Sequence, residues 1–416
     1  MITKVKHFLY KGLRKSEKYT KTDMVYLAQS RFLLYEQIIA IGGSLIVALA
    51  FANFVSQETY GFYKYALSAA QIIGAITLTG ITTAISVSAA KGFDASLKEG
   101  YLARIKYSIF FVLISLSAAA YYFTQDNQLL GITFICIALF DPIIKAQELY
   151  LPFLSGKKKF LEISKYNSIR IGGTTVLLCT ILYFTESPIM IILTYFLSHT
   201  IFTLLLYRKT KKSHVQNEKK DPDLISHSKH LSTAHVLSVV ANHIDKVLVF
   251  QFIGAAELAI YSFAIFMPEQ LKGFIKNIGT LALPKFSSQS MGDIKKTMMQ
   301  KVIYLMLLIT IITIIYIFLV PFIFKFLFPQ YESSVFISQI FSISLIFSAI
   351  LPVTIINAKK AIKENYQLSV ISNIIGIIII VLATATHGLI GLVMAKILQR
   401  ATTFFISIYL IRKIKI

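Results

Sequence analysis

Ionisable side chains set inside long apolar runs are the residues of this chain whose types and spacing could do chemistry. Asp141, Lys145 and Glu148 fall at i, i+4 and i+7, and Glu269, Lys272 and Lys276 at i, i+3 and i+7, so each trio shares one helical face. His235, Ser238, Asn242, Asp245 and Lys246 make a polar stripe on an otherwise apolar segment. Glu36, Lys64, Arg170, Lys325, Lys396 and Arg400 sit in other apolar runs, and His199 lies in the middle of one. At a bilayer centre an ionised group costs about 2.5–3.5 kcal/mol, so each should face a cavity or a partner. Cations outnumber acids in this set. Lys and Arg in a low-dielectric cavity suit an anionic ligand, whereas a cavity for cations would be expected to carry an acidic excess.

Two readings of these residues stay open. On the first, Lys145, Lys246, Lys272, Lys276, Lys64 and Arg170 line a substrate path, while Asp141, Asp245, Glu269 and His199 are ion-coupling or pairing positions. On the second, Asp141 with Lys145 and Glu269 with Lys272 are ion pairs that fix helix packing. Asp245 and Lys246 then hold their helix against its neighbours, and His199 only hydrogen-bonds a neighbour. Lys64, Lys325 and Arg400, near the ends of their runs, would snorkel to the headgroups. Pro142 beside Asp141 and Pro268 beside Glu269 mark candidate helix breaks, and so candidate hinges. No catalytic group, metal ligand set or cofactor is expected. Cys136 and Cys179 both fall in apolar runs and read as small hydrophobes.

The elements that must position these groups are membrane helices. Of 416 residues 56% are hydrophobic and 15% charged, against roughly 25% charged in a soluble domain. Mean hydropathy is +0.68. The net charge of +22 would fit nucleic acid, but its Lys and Arg lie in short groups between apolar runs, a membrane pattern. A crossing needs about 20 apolar residues. That ruler marks about twelve, near 33–55, 61–89, 105–123, 129–153, 166–185, 187–207, 231–253, 258–284, 300–328, 333–356, 366–386 and 388–411. Lys4 to Lys21 is basic without a compact apolar core, so the start does not read as a cleavable signal.

Charge orients the crossings. The N-terminal segment, every even-numbered connection and the C-terminal tail carry Lys or Arg. The odd-numbered connections carry Glu58, Asp126, Glu186, Glu257 and Glu332 and no basic residue. Both termini are therefore expected on the cytoplasmic side. The chain divides into a basic segment 1–30, a six-helix half 31–207, a polar linker 208–230, a second six-helix half 231–411 and a basic tail 412–416. Ser56 to Tyr63 and Gly254 to Tyr261 are similar acidic turns, each ending in a Tyr that opens a long helix. The halves are then a parallel repeat, an architecture for alternating access with a site between them. The short outer connections leave no room for the catalytic loop of a membrane glycan polymerase or ligase.

Leu45–Gly80 reads LIVALAFANFVSQETYGFYKYALSAAQIIGAITLTG, and Asn242–Gly279 reads NHIDKVLVFQFIGAAELAIYSFAIFMPEQLKGFIKNIG. These hairpins resemble those of bacterial polysaccharide exporters of the Wzx type. The resemblance rests on the Glu58-Thr-Tyr-Gly-Phe-Tyr63 turn, on Asn242, Asp245 and Lys246, on Gly254, Glu257, Leu258 and Tyr261, and on Leu283–Ser287; Ala259 stands where the family often has Gly. It implies the all-helical MOP superfamily fold, shared with MATE drug exporters and the lipid II flippase MurJ. It further implies a flippase in a bacterial inner membrane that moves an undecaprenyl-diphosphate-linked oligosaccharide (O-antigen, capsule or exopolysaccharide) to the periplasmic leaflet. An ion gradient as driving force and a polysaccharide polymerase with chain-length machinery as partners follow from the resemblance too. A small-molecule exporter of the MATE type is the alternative.

Overall fold

A computed structural model describes residues 24–348, 350–359 and 361–414. The basic segment 1–30 lies mostly outside the described residues, as does the end of the 412–416 tail. In the first half, α1 spans Met24–Phe54, α2 Gln57–Gly74, α3 Ile81–Ala90, α4 Ser96–Tyr107 and α5 Ile109–Thr124. There follow α6 Gln128–Gln147, α7 Tyr150–Gly156, α8 Phe160–Phe184 and α9 Pro188–His214. In the second half, α10 spans Leu224–Phe252, α11 Ala255–Ser288, α12 Met291–Leu327, α13 Ser334–Ser342, α14 Ile350–Ala358 and α15 Ile362–Lys413. Among the described residues there is no strand.

Starts and reversals follow local chemistry. The Ser56 hydroxyl, the Asn127 carbonyl and the Ser290 hydroxyl each accept a backbone N–H in the first turn of α2, α6 and α12, supplying a partner that the helix start lacks. Pro188 opens α9, where its missing N–H costs nothing. α15 is too long for one crossing: 52 residues would reach about 78 Å against a hydrocarbon core of about 30 Å. Gly388 turns it back at φ 57°, ψ −137°, a conformation essentially reserved for glycine. The eleventh and twelfth crossings are thus a hairpin, as the sequence length requires.

Seven of these helical stretches are long and apolar enough to cross a membrane, counting α15 once. The stretches that fall short are 57–90, α8, α10 and α11. Three of them carry ionisable groups at mid-helix: Arg170, then Asp245 and Lys246, then Glu269 and Lys272. The fourth is interrupted. Residues 75–80 separate α2 from α3, where the sequence reads one helix. The freed backbone is re-satisfied inside the protein: the Arg104 guanidinium donates to Leu78 O at 2.6 Å, and Gly80 N–H donates to the Ser232 hydroxyl at 2.9 Å. The helices run on through Pro142 and through Pro268, and on the fourth crossing the interruption falls later, at Glu148–Leu149.

Alternate connections gather at opposite ends of the bundle. At one end Gln57 donates to Gln330 O at 2.6 Å and Thr59 to Glu186 O at 3.3 Å. At the other, Asp94 accepts from Lys157 at 2.7 Å and from Gln216 N–H at 2.6 Å, Ser88 donates to Asp221, and Lys295 donates to Arg412 O at 3.0 Å. The basic connections share this second end. The surface between the ends is apolar: Phe318, Phe322 and Phe326 along α12 and Tyr183 and Phe184 on α8 are exposed, as lipid-facing side chains would be.

The first and second halves meet along α2 and α3 against α10, and along α2 against α11. The backbone approach is close. A Cβ on Gly61 would stand 1.8 Å from Ala255 O, so only glycine admits it. The two similar turns of the sequence therefore pack on one another. Beside them Tyr60, Phe263 and Tyr331 form an aromatic seal, with ring centroids 4.7 Å apart for Tyr60–Phe263 and 3.8 Å for Phe263–Tyr331.

Candidate functional site

Helix α11 stands between two cavities. One, of about 450 Å³, lies in the second half and is lined from α10, α11, α13 and α15. The other, of about 360 Å³, is lined from α1, α2, α8 and α9, with Phe266 of α11 closing one side. Both volumes lie in the range of small-molecule sites.

The second-half cavity holds four cations and two carboxylates. Asp245 is buried. Its Oδ2 accepts from the Tyr261 hydroxyl at 2.7 Å and pairs with Lys396 Nζ at 3.1 Å, while Oδ1 lies 3.7 Å from Lys246 Nζ. Lys396 also donates to Ala241 O at 3.3 Å, which binds α15 to α10. Nearby, the Ser369 hydroxyl lies 3.0 Å from that of Ser238, and Asn373 donates to Ser238 at 2.9 Å, tightening the same contact. Glu269 bridges α11 to α15: one oxygen accepts from Arg400, the other from Lys272 at 3.2 Å. Arg400 is further held by the Ser344 hydroxyl at 2.7 Å, and its guanidinium lies 4.9 Å from the Phe341 ring centroid.

The first-half cavity is sparser. Lys64 Nζ lies 5.1 Å from the Tyr60 ring centroid. Arg170 forks onto the Asn167 carbonyl oxygen at 3.0 and 2.6 Å, and Asn167 donates in turn to Glu36. His199 packs on Tyr195 with ring centroids 4.2 Å apart, and its Nδ1 lies 3.1 Å from Tyr195 O. A third cavity, of about 270 Å³, opens where α2, α3, α4 and α6 approach α10. It is lined in part by Arg104, Lys145, Glu148 and His235.

Of the positions singled out in the sequence, the structure brings together Asp245, Lys246, Glu269 and Lys272 in one cavity, and Lys64, Arg170 and His199 in another. Lys145 pairs with Glu148 at 3.5 Å. Asp141, one turn away, is buried against α2: its Oδ2 lies 3.7 Å from where a Cβ on Gly74 would be. Lys276 is exposed on α11, beyond the cavity lining. Pro142 and Pro268 are buried within continuous helices. Sequence reading left Lys396, Arg400, Glu36 and Arg104 out of the site. Lys396 and Arg400 had a signal, an i, i+4 pair of cations on an apolar helix. Arg104 had none, because it looks like one more basic residue of an inner connection. Among the described residues no group of three or more His, Cys, Asp or Glu could hold a metal ion.

A multi-pass helical membrane protein with charged internal cavities is the class that these features define. Over residues 27–291 the sequence matches the family described as polysaccharide biosynthesis protein, and the chain belongs to that family. Its fold is that of the MOP superfamily. It is similar to the lipid II flippase MurJ in an inward closed conformation, with a TM-score of 0.68 and 15% identity over 92% of this chain and 87% of that one. An inward-facing multidrug resistance MATE family transporter of the MOP superfamily matches with a TM-score of 0.66 and 10% identity over 91% and 94% of the two chains. An outward-facing one reaches 0.61 at 11% identity over 92% and 95%. Among curated proteins, none matches the chain by sequence.

Proposed function

We propose that this chain is a flippase that carries an oligosaccharide repeat unit, linked through diphosphate to undecaprenol, from the cytoplasmic to the periplasmic leaflet of a bacterial inner membrane. The two halves, 31–207 and 231–411, would alternate access around the cavities, with 208–230 as a cytoplasmic linker and both termini cytoplasmic. The lipid tails stay in the bilayer while diphosphate and sugars pass inside. The observation that carries this reading is the second-half cavity. Lys246, Lys272, Lys396 and Arg400 face Asp245 and Glu269 there, a formal excess of two positive charges in about 450 Å³. A diphosphate supplies the missing negative charge, and Arg is suited to bidentate contact with phosphate. The likeness to a lipid II flippase and the polysaccharide biosynthesis family point the same way. Coupling to an ion gradient, with Asp141, Asp245, Glu269 and His199 as the candidate positions, and delivery to a polymerase with chain-length machinery complete the proposal.

The comparable likeness to a multidrug transporter keeps small-molecule export as the rival. Deleting the gene separates the two. A flippase deletion loses surface glycan, read on a gel, and leaves drug susceptibility unchanged. Intact glycan with increased drug susceptibility would replace the flippase by the exporter.

A further inference from the structure

The two carboxylates of the second-half cavity are held in different ways. The Asp245 side chain is 3% exposed, with Tyr261, Lys396 and Lys246 around it. It belongs to the packing of α10 against α11 and α15. The Glu269 side chain is 39% exposed and open to the cavity, and it grips two cations on different helices, Lys272 on its own and Arg400 on α15. Besides Glu269, Arg400 is held by the Ser344 hydroxyl and the Phe341 face. The guanidinium is thus fixed, and the carboxylate occupies the position from which an anion would be bound.

We propose that Glu269 is a resident counter-ion that competes with the anionic headgroup for Arg400 and Lys272. This rests on the flippase reading above. When the cavity is empty, Glu269 bonds to both cations and offsets one of their two charges; without it both would stand unpaired in a low-dielectric cavity at considerable cost. An entering phosphate displaces it, exchanging one set of charge-assisted hydrogen bonds for another. As the headgroup leaves, Glu269 returns to the cations and prevents rebinding. A transport site must bind tightly enough to load and weakly enough to release, and a tethered competitor sets that balance. A carboxylate whose role was only to pack the helices would weaken binding when removed; a competitor strengthens it.

The purified full-length protein in detergent, titrated with farnesyl diphosphate and with farnesol as the uncharged control, distinguishes these roles. Glu269→Gln should bind farnesyl diphosphate about tenfold more tightly than wild type, with farnesol affinity unchanged. In cells it should export less surface glycan at normal protein level, because release has slowed. Glu269→Asp, one methylene shorter and a poorer reach to Arg400, should tighten binding by about twofold to threefold and serves where the Gln variant does not accumulate. Unchanged or weaker binding in either variant, with wild type binding the diphosphate well, overturns the counter-ion role and leaves the flippase reading standing. A wild-type protein that does not distinguish farnesyl diphosphate from farnesol overturns both.

Discussion

In the second-half cavity each carboxylate lies among cations from more than one position, Asp245 with Lys246 and Lys396 and Glu269 with Lys272 and Arg400. In the first-half cavity the cations rest instead on a ring and an amide, Lys64 on Tyr60 and Arg170 on Asn167. The difference teaches where charge serves the fold. In the second half the ionic network joins α10, α11 and α15, so its members are structural as well as available to a ligand. In the first half Lys64 rests on a neutral ring, and Arg170 reaches its carboxylates, Glu36 and Glu148, without a direct ion pair, so a substitution at Lys64 in particular should touch transport more than stability.

The largest effect should come from Lys396→Met. It leaves the buried Asp245 without its nearest cation, and breaking one side of a buried pair costs about 3–5 kcal/mol. Protein level and melting temperature in detergent should both fall. The double variant Asp245→Leu with Lys396→Met should recover part of the loss, since the most deeply buried charge is removed with its nearest partner, while the less buried Lys246 and the Tyr261 hydroxyl lose theirs; a double variant as unstable as the sum of the singles would break the comparison. Next comes Gly61→Val at the seam that both halves share. Its side chain meets Ala255 O, and relieving the overlap costs about 1–3 kcal/mol. The Tyr60–Phe263–Tyr331 seal should loosen, so that a cysteine in place of the buried Ser334 beside it reacts faster with a membrane-impermeant maleimide.

In the first half, Arg170→Lys gives up the fork onto Asn167 and should lower stability by about 1 kcal/mol. Lys64→Met removes a cation–ring contact worth about 0.5–1 kcal/mol, the smallest effect of the four. A melting temperature close to wild type, with reduced surface glycan, is the expected result. Destabilisation by Lys64→Met as severe as that by Lys396→Met would show that the two cavities are not different in kind.

The helical crossings were legible because apolar runs of membrane length alternate with basic connections, and the Gly388 turn because two crossings could not be one. The interruption at 75–80 was not legible. It contains no proline, and the groups that satisfy it, Arg104 and Ser232, come from 26 and 152 residues away. Pro142 and Pro268 drew attention as breaks, yet the helices continue through both, because neighbouring helices can accommodate the lost donor. The site was legible by type and not by pairing. Helical spacing puts Lys272 beside Glu269, but the bridge from Glu269 to Arg400 joins residues 131 apart, and no local pattern encodes it. Lys145 had two acids at helical spacing, and the structure shows it paired with Glu148 at 3.5 Å.

The central claim, that the second-half cations carry an anionic lipid headgroup, is tested most directly by the double variant Lys272→Ala, Arg400→Ala. It would be placed in a strain lacking the wild-type gene, and the lipid-linked oligosaccharide extracted and quantified beside surface glycan. We expect the lipid-linked precursor to accumulate and surface glycan to disappear at normal protein level. Normal surface glycan without accumulation, in a variant present at wild-type amount, would contradict it.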